Sequence, residues 1–254
     1  MVYVRVKKSV FDHEELLELT VSVLAICLAL TLAVGGNNLH DRIFQPADRF
    51  THNFFLFLFA VAPGFVLHEL GHKFAALRLG HYARFRSWIG GLFFMFILAL
   101  FTGFIFAAPG AVYIMMRRHD RKENGIISVA GPTVNILLSL LGFLGLILIG
   151  VFGGMEELIS HPGTGIFPSI SEILMLTVYI NAFLAAFNMV PMFPLDGIKI
   201  MAWRRDVWVL MIFISLGLLY LIGGGEAISF IITLIIFSFL FNILMGGAVV
   251  RGYR

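Results

Sequence analysis

Charge is scarce in this chain. Only 13% of its 254 residues are Asp, Glu, Lys or Arg, against about 25% in ordinary soluble domains. Mean hydropathy is +0.95, and several apolar runs approach the roughly 20 residues that cross a bilayer as a helix. A large soluble domain is excluded. Cysteine is scarcer still. Cys27 is the only one, so no disulfide framework forms within the chain. A small-residue cleavage site is also lacking near the N-terminus, where acidic residues follow a basic start, so no removable signal peptide is expected.

What is present is a series of apolar runs. Candidate spans are Leu16–Val34, Asn53–Leu79, Gly125–Val151, Glu172–Val190, Val207–Ile222 and Ala227–Val250. Val2–Lys8 alternates apolar and basic residues, which predicts a short amphipathic strand on the membrane surface. Ile89–Met116 is a further long apolar segment, broken by Gly103 and by Pro109-Gly110.

Charge placement orders these spans. With the N-terminus cytoplasmic, 15 of the 18 Lys and Arg residues fall on the cytoplasmic side, as the positive-inside rule requires. Arg42 and Arg49 fall outside, and Lys73 lies within a span. The count holds only if Ile89–Met116 enters and leaves on one side, because both of its flanks are basic. Non-helical backbone at that depth needs cover from protein or a water-filled cavity. The expectation is an all-α polytopic membrane protein. It has six transmembrane helices, both termini cytoplasmic, and a membrane-embedded hairpin or small β-sheet after the second span. A seventh crossing is the competing topology. Residues 1–254 form a single membrane domain, with a core at about 53–200.

The second span carries His68-Glu69-Leu70-Gly71-His72, an H-E-x-x-H pattern. Residues four apart share a helix face, so both imidazoles can bind one metal ion, with Glu69 nearby to take a proton from an attacking water. That is zinc-hydrolase spacing. Ionisable groups in an apolar helix otherwise need costly compensation. A histidine pair that only packs or hydrogen-bonds is the plainer alternative. Two histidines leave a catalytic zinc one protein ligand short. Asp196 stands out, after Pro191 and Pro194, which block helix. It reads equally well as a ligand or as a helix N-cap. Lys73 reads as a lysine reaching the interface or paired with an acid, with a substrate contact as the alternative. Pro63 and Gly64 can loosen the helix and admit water, or are ordinary span content.

Together these residues resemble the site-2 protease family of intramembrane zinc metalloproteases. His68, Glu69 and His72 match its first motif. Asn188, Pro191, Pro194, Leu195, Asp196 and Gly197 match its N-x-x-P-x-x-P-L-D-G motif, and Gly131-Pro132 with Asn135 resembles its G-P-x-x-N element. The resemblance covers roughly Asn53–Ile200. It implies one Zn2+ held by His68, His72 and Asp196, with Glu69 as general base. Asn188 would hold or polarise the scissile peptide, and Asn135 would support the site or bind substrate backbone. It also implies a sheet edge that pairs with an unwound substrate strand. Ala107–Met116 is the candidate for that edge, with an ordinary helix end as the alternative. No PDZ domain or nucleotide-sensing module is recognisable, so the regulatory partner is unidentified.

Implied partners are the lipid bilayer of the cell membrane and single-span membrane-protein substrates. No nucleic-acid partner is expected. A transporter is the second functional class, since intramembrane His and Asp also mark ion pathways. Against it stand Glu69 inside the histidine pair and the lack of a visible inverted repeat. A helix-binding scaffold that has lost activity is the third, opposed by the presence of all three ligands and Glu69. Signatures of the other intramembrane protease chemistries, G-x-S-G and G-x-G-D, are missing.

Overall fold

The computed structural model describes residues 10–103, 109–116, 120–152 and 169–244. The strand expected at Val2–Lys8 lies outside them, as do Ala107 and Ala108 of the expected edge and the end of the last expected span.

Asp12 caps the first helix by accepting the Glu15 N–H at 2.8 Å, and α1 runs His13–Ala33. A short α2 (Leu39–Ile43) follows, then α3 (Ala47–Ala60) and α4 (Ala62–Arg78). These last two are almost one rod. They part at Val61, where Pro63 has no N–H to continue the ladder. Strand β1 (Tyr82–Ser87) leads into α5 (Ile89–Thr102), and the chain returns as β2 (Gly110–Met115), antiparallel to β1. Then comes α6 (Arg121–Phe152), 32 residues with Pro132 inside. Helix α7 (Ile170–Asn188) starts with a capping box between Ser169 and Glu172. The prolines then break the chain before α8 (Asp196–Trp203). Helices α9 (Arg205–Leu221) and α10 (Gly225–Leu244) complete the described chain.

The Ile89–Met116 segment behaves as a hairpin. Ser87 pairs with Gly110, and the Trp88 N–H donates to Pro109 O at 2.9 Å, so the excursion begins and ends at one place. Its far end is pinned by Arg42, whose guanidinium donates to Gly36 O at 3.0 Å and to Leu100 O at 2.8 Å. Gly103 caps α5 at φ 72°, and a Cβ there would strike that guanidinium. Only glycine meets both demands.

Two apolar clusters organise the helices. One joins α1, α3, the start of α4 and α5, with Cys27, Phe57 and Met95 buried at its centre. The other joins α6 through α10, around Ala185, Met189, Ile200 and Leu219. Helix α4 packs against both α1 and α6. Among the described residues, four helical rods are long and apolar enough to cross a membrane: His13–Ala33, Ala47–Arg78, Arg121–Phe152 and Ile170–Asn188. The 17 residues of α9 give about 26 Å at 1.5 Å each, short of a hydrocarbon core of about 30 Å. Length and composition over the described residues therefore carry four of the six expected crossings, with Gly225–Phe241 of α10 a shorter apolar helix.

Replacing Arg42 with Met leaves the Leu100 carbonyl unpaired at a helix end. The expected cost is about 1–3 kcal/mol. It should be read as a lower unfolding midpoint and faster amide exchange in the last turn of α5. Unchanged exchange there would mean that Arg42 does not anchor this helix.

Candidate metal centre

Helix α4 presents His68 and His72 one turn apart, and α6 supplies the opposing face. His72 Nδ1 lies 2.8 Å from Ile127 O. A carbonyl can only accept, so Nδ1 carries the proton. His68 Nδ1 lies 2.5 Å from Asn135 Oδ1. The amide of Asn135 donates to Gly64 O at 3.2 Å and to Asn181 Oδ1 at 2.8 Å, and Asn181 in turn donates to Thr177 O at 2.9 Å. That chain fixes the oxygen of Asn135 toward His68 and so assigns its tautomer. Both imidazoles are thus protonated outward, with their Nε2 lone pairs turned inward.

The two Nε2 atoms are 3.0 Å apart. Asp196 Oδ2 lies 3.0 Å from His72 Nε2 and 3.6 Å from His68 Nε2. Three acceptors converge with no donor among them, which is the donor set of a cation. Ligands about 2.0–2.2 Å from a tetrahedral zinc stand roughly 3.3–3.5 Å from one another, so these separations fit. All three side chains are buried.

The backbone makes room for them. Ile127, Gly131 and Asn135 lie four apart on α6 and form one stripe. A Cβ at Gly131 would strike Nε2 of both histidines. Pro132, lacking an N–H for the Ser128 carbonyl, interrupts the α6 ladder one residue from Ile127. Gly197 has a similar task, since a Cβ there would meet the Met189 and Val190 carbonyls. Its absence lets α8 start against the end of α7.

The open alternatives resolve by position. Asp196 is the first residue of α8. The N-cap is Leu195, with no side-chain cap bond, so Asp196 does not cap. Its Oδ1 accepts from Lys199 at 3.1 Å, while Oδ2 faces the histidines. Lys73 pairs with an acid, Glu15 on α1. Glu69 is buried on the α4 helix, and its Oε2 accepts the Val112 N–H of β2 at 2.9 Å. The expected edge at Ala107–Met116 is thus a strand from Gly110 onward. Gly64 takes a tighter role than loosening: it approaches Asn181 too closely for a Cβ, and its carbonyl serves Asn135. Asn188 is placed differently from the ligands. Its amide donates to Leu184 O at 2.9 Å, inside its own helix.

Sequence reasoning missed Asn181, Lys199 and Glu15. Asn181 had a signal, being an amide in an otherwise apolar span. Glu15 had one too, because a lysine in a span needs an acid.

Asn135→Leu removes the acceptor of His68 Nδ1. Loss of such a partner costs about 10–100-fold in metal affinity, to be measured by zinc competition with a chelator. Asn181→Leu should give a smaller loss, acting one bond further away. Equal affinity in native protein and Asn135→Leu would show that this amide does not hold the ligand.

The model of peptidase family M50 matches residues 56–204. The chain is 35% identical over 201 residues to a protein of Methanocaldococcus jannaschii, covering 79% of this chain and 90% of that one. It is 30% identical over 145 residues to a protein of Bacillus subtilis, covering 54% of this chain and 63% of that one. Both carry the name "putative zinc metalloprotease". No solved structure matches. The matched region contains both histidines, Glu69, Asn135 and Asp196, and the chain belongs to peptidase family M50, the site-2 protease family, as a zinc metalloprotease.

Proposed function

We propose that this metalloprotease is an intramembrane endopeptidase, cutting a peptide bond within or near the transmembrane helix of a single-span membrane protein. One observation carries the reading: three convergent ligand atoms and Glu69 lie on or against a helical rod long and apolar enough to cross a membrane, with a strand at hand. His68, His72 and Asp196 would hold the zinc. When bound, zinc supplies Lewis-acid chemistry, polarising the scissile carbonyl and activating water at neutral pH.

The residues do the rest. Ile127 O and Asn135 keep the two imidazoles in the ligating tautomer. Lys199 neutralises the outer oxygen of Asp196 and leaves the inner one to the metal. Glu69 takes the proton of the attacking water and returns it to the leaving amine, as general base and then general acid. In the substrate-free arrangement its carboxylate rests on the Val112 N–H. An extended substrate adding to β2 would take over such outward backbone groups. An oxyanion role for Asn188 requires its amide to turn away from Leu184 O.

The protein would sit in the cell membrane with six crossings and both termini cytoplasmic, α9 and α10 being the last two. The basic clusters support this orientation, as does a hairpin that starts and ends at one sheet. A regulatory partner would be another protein or the membrane itself.

The test pairs zinc content with cleavage of a transmembrane peptide in native protein and Glu69→Gln. The expected outcome is about one zinc per chain in both, and a loss of cleavage of at least about 10²–10⁴-fold in the variant. Zinc in both with cleavage in neither would point to a scaffold. Absence of zinc from both would bring the transporter reading forward. Gly131→Ala is expected to lower zinc occupancy, because its methyl occupies the space against both Nε2 atoms.

A further inference from the structure

Glu15 and Lys73 are buried ionisable residues, at 3% and 1% exposure, and neither is a metal ligand or the general base. Both Glu15 oxygens accept from Lys73 Nζ, and Oε1 also accepts the Phe85 N–H of β1 at 2.9 Å. Phe85 stands opposite Val112 in the sheet. Both N–H groups of this rung point outward, as in a non-hydrogen-bonded antiparallel pair. One reaches Glu15, and the other reaches Glu69 at 2.9 Å. Lys73 follows Glu69 by four residues on α4, one turn along the same face. The contacts close a ring: Glu69, Val112, Phe85, Glu15, Lys73 and back to Glu69.

A buried ion pair is seldom better for stability than an apolar pair of the same shape, so a second task for one member accounts for its presence here. We propose that Glu15 is a positioning residue for peptide hydrolysis. Its carboxylate, neutralised by Lys73, ties the sheet to the metal-bearing helix and sets the β2 edge at a fixed offset from Glu69. Glu18, one turn on, accepts the next outward N–H of β1, from Ser87 at 2.7 Å. These two carboxylates occupy the β1 edge, and a substrate strand is directed to β2. The inference rests on reading β2 as the substrate seat.

Three variants of the full-length protein test it. Glu15→Gln with Lys73→Met removes both charges and keeps an oxygen for Phe85. Glu15→Leu with Lys73→Met removes the oxygen as well. Glu15→Asp keeps the charge and withdraws it by one methylene, and so covers the case in which the Leu variant fails to fold. Expected are zinc near one per chain and unchanged inhibition by acetohydroxamate, a small zinc-binding probe, in all three. KM for a transmembrane peptide should rise about tenfold in the Leu and Asp variants, with kcat within about threefold. The Gln variant should stay near native in both. Exchange of the Val112 amide without substrate should quicken in the Leu and Asp variants only. The proposal is overturned by an unchanged KM in the Leu and Asp variants, by equal loss in the Gln variant, or by loss of zinc alongside KM. A native protein that neither cleaves the peptide nor binds the hydroxamate would instead sink the protease reading. The amide exchange would still report whether Glu15 holds the sheet.

Discussion

The closeness of α4 to α6 is the constraint on which this structure depends. Two imidazoles one turn apart can share an ion only if their Nε2 atoms converge and their Nδ1 atoms are held from behind. Helix α6 provides this with one stripe of three positions. Ile127 and Asn135 hold the rings from either side, while Gly131 leaves bare backbone between them. A Cβ at Gly71 on the facing side would come within 3.0 Å of Ala130 O, so α4 too has a small residue where it meets α6. Glycines here exchange local helix stability for an approach that larger residues would block.

The same low-dielectric setting explains why so few polar groups stand alone. Arg42, Lys73, Asn135 and Asn181 are buried, and each has a named partner or several. An unpaired member would bear its full desolvation cost. Such pairing extends from the metal centre to Arg42 at the far end of α5.

Much of the centre was legible in the sequence because its logic is local. The i, i+4 histidine pair with Glu69 between them needs only helix geometry. The Pro191 and Pro194 break announced an unwound approach to Asp196. The meeting of the two ends of Ile89–Met116 in one sheet agrees with the hairpin expected from its basic flanks. The remainder depends on distant pairings that spacing does not encode. Asn135 meets Asn181 across 46 residues, and Lys73 meets Glu15 across 58. The orientation of Asn188 is a rotamer choice, and residue type does not decide it. The crossing count was read from apolar length, and α9 is short enough that length is a poor guide to it.

The ligands and their supports belong to α4, α6, α7 and α8. The sheet hangs from α1, and α5 leaves it and returns to it. The apolar cluster around α1 and α5 also takes in the start of α4 and one face of α7, and the Glu15–Lys73 and Val112–Glu69 contacts add polar ties between the two assemblies. Mutational drift in α1, α5 and the strands is therefore free only at positions outside these ties, since a change at Glu15 or along β2 reaches the helix that bears Glu69. A lineage could diversify what it recognises while inheriting its reaction unchanged.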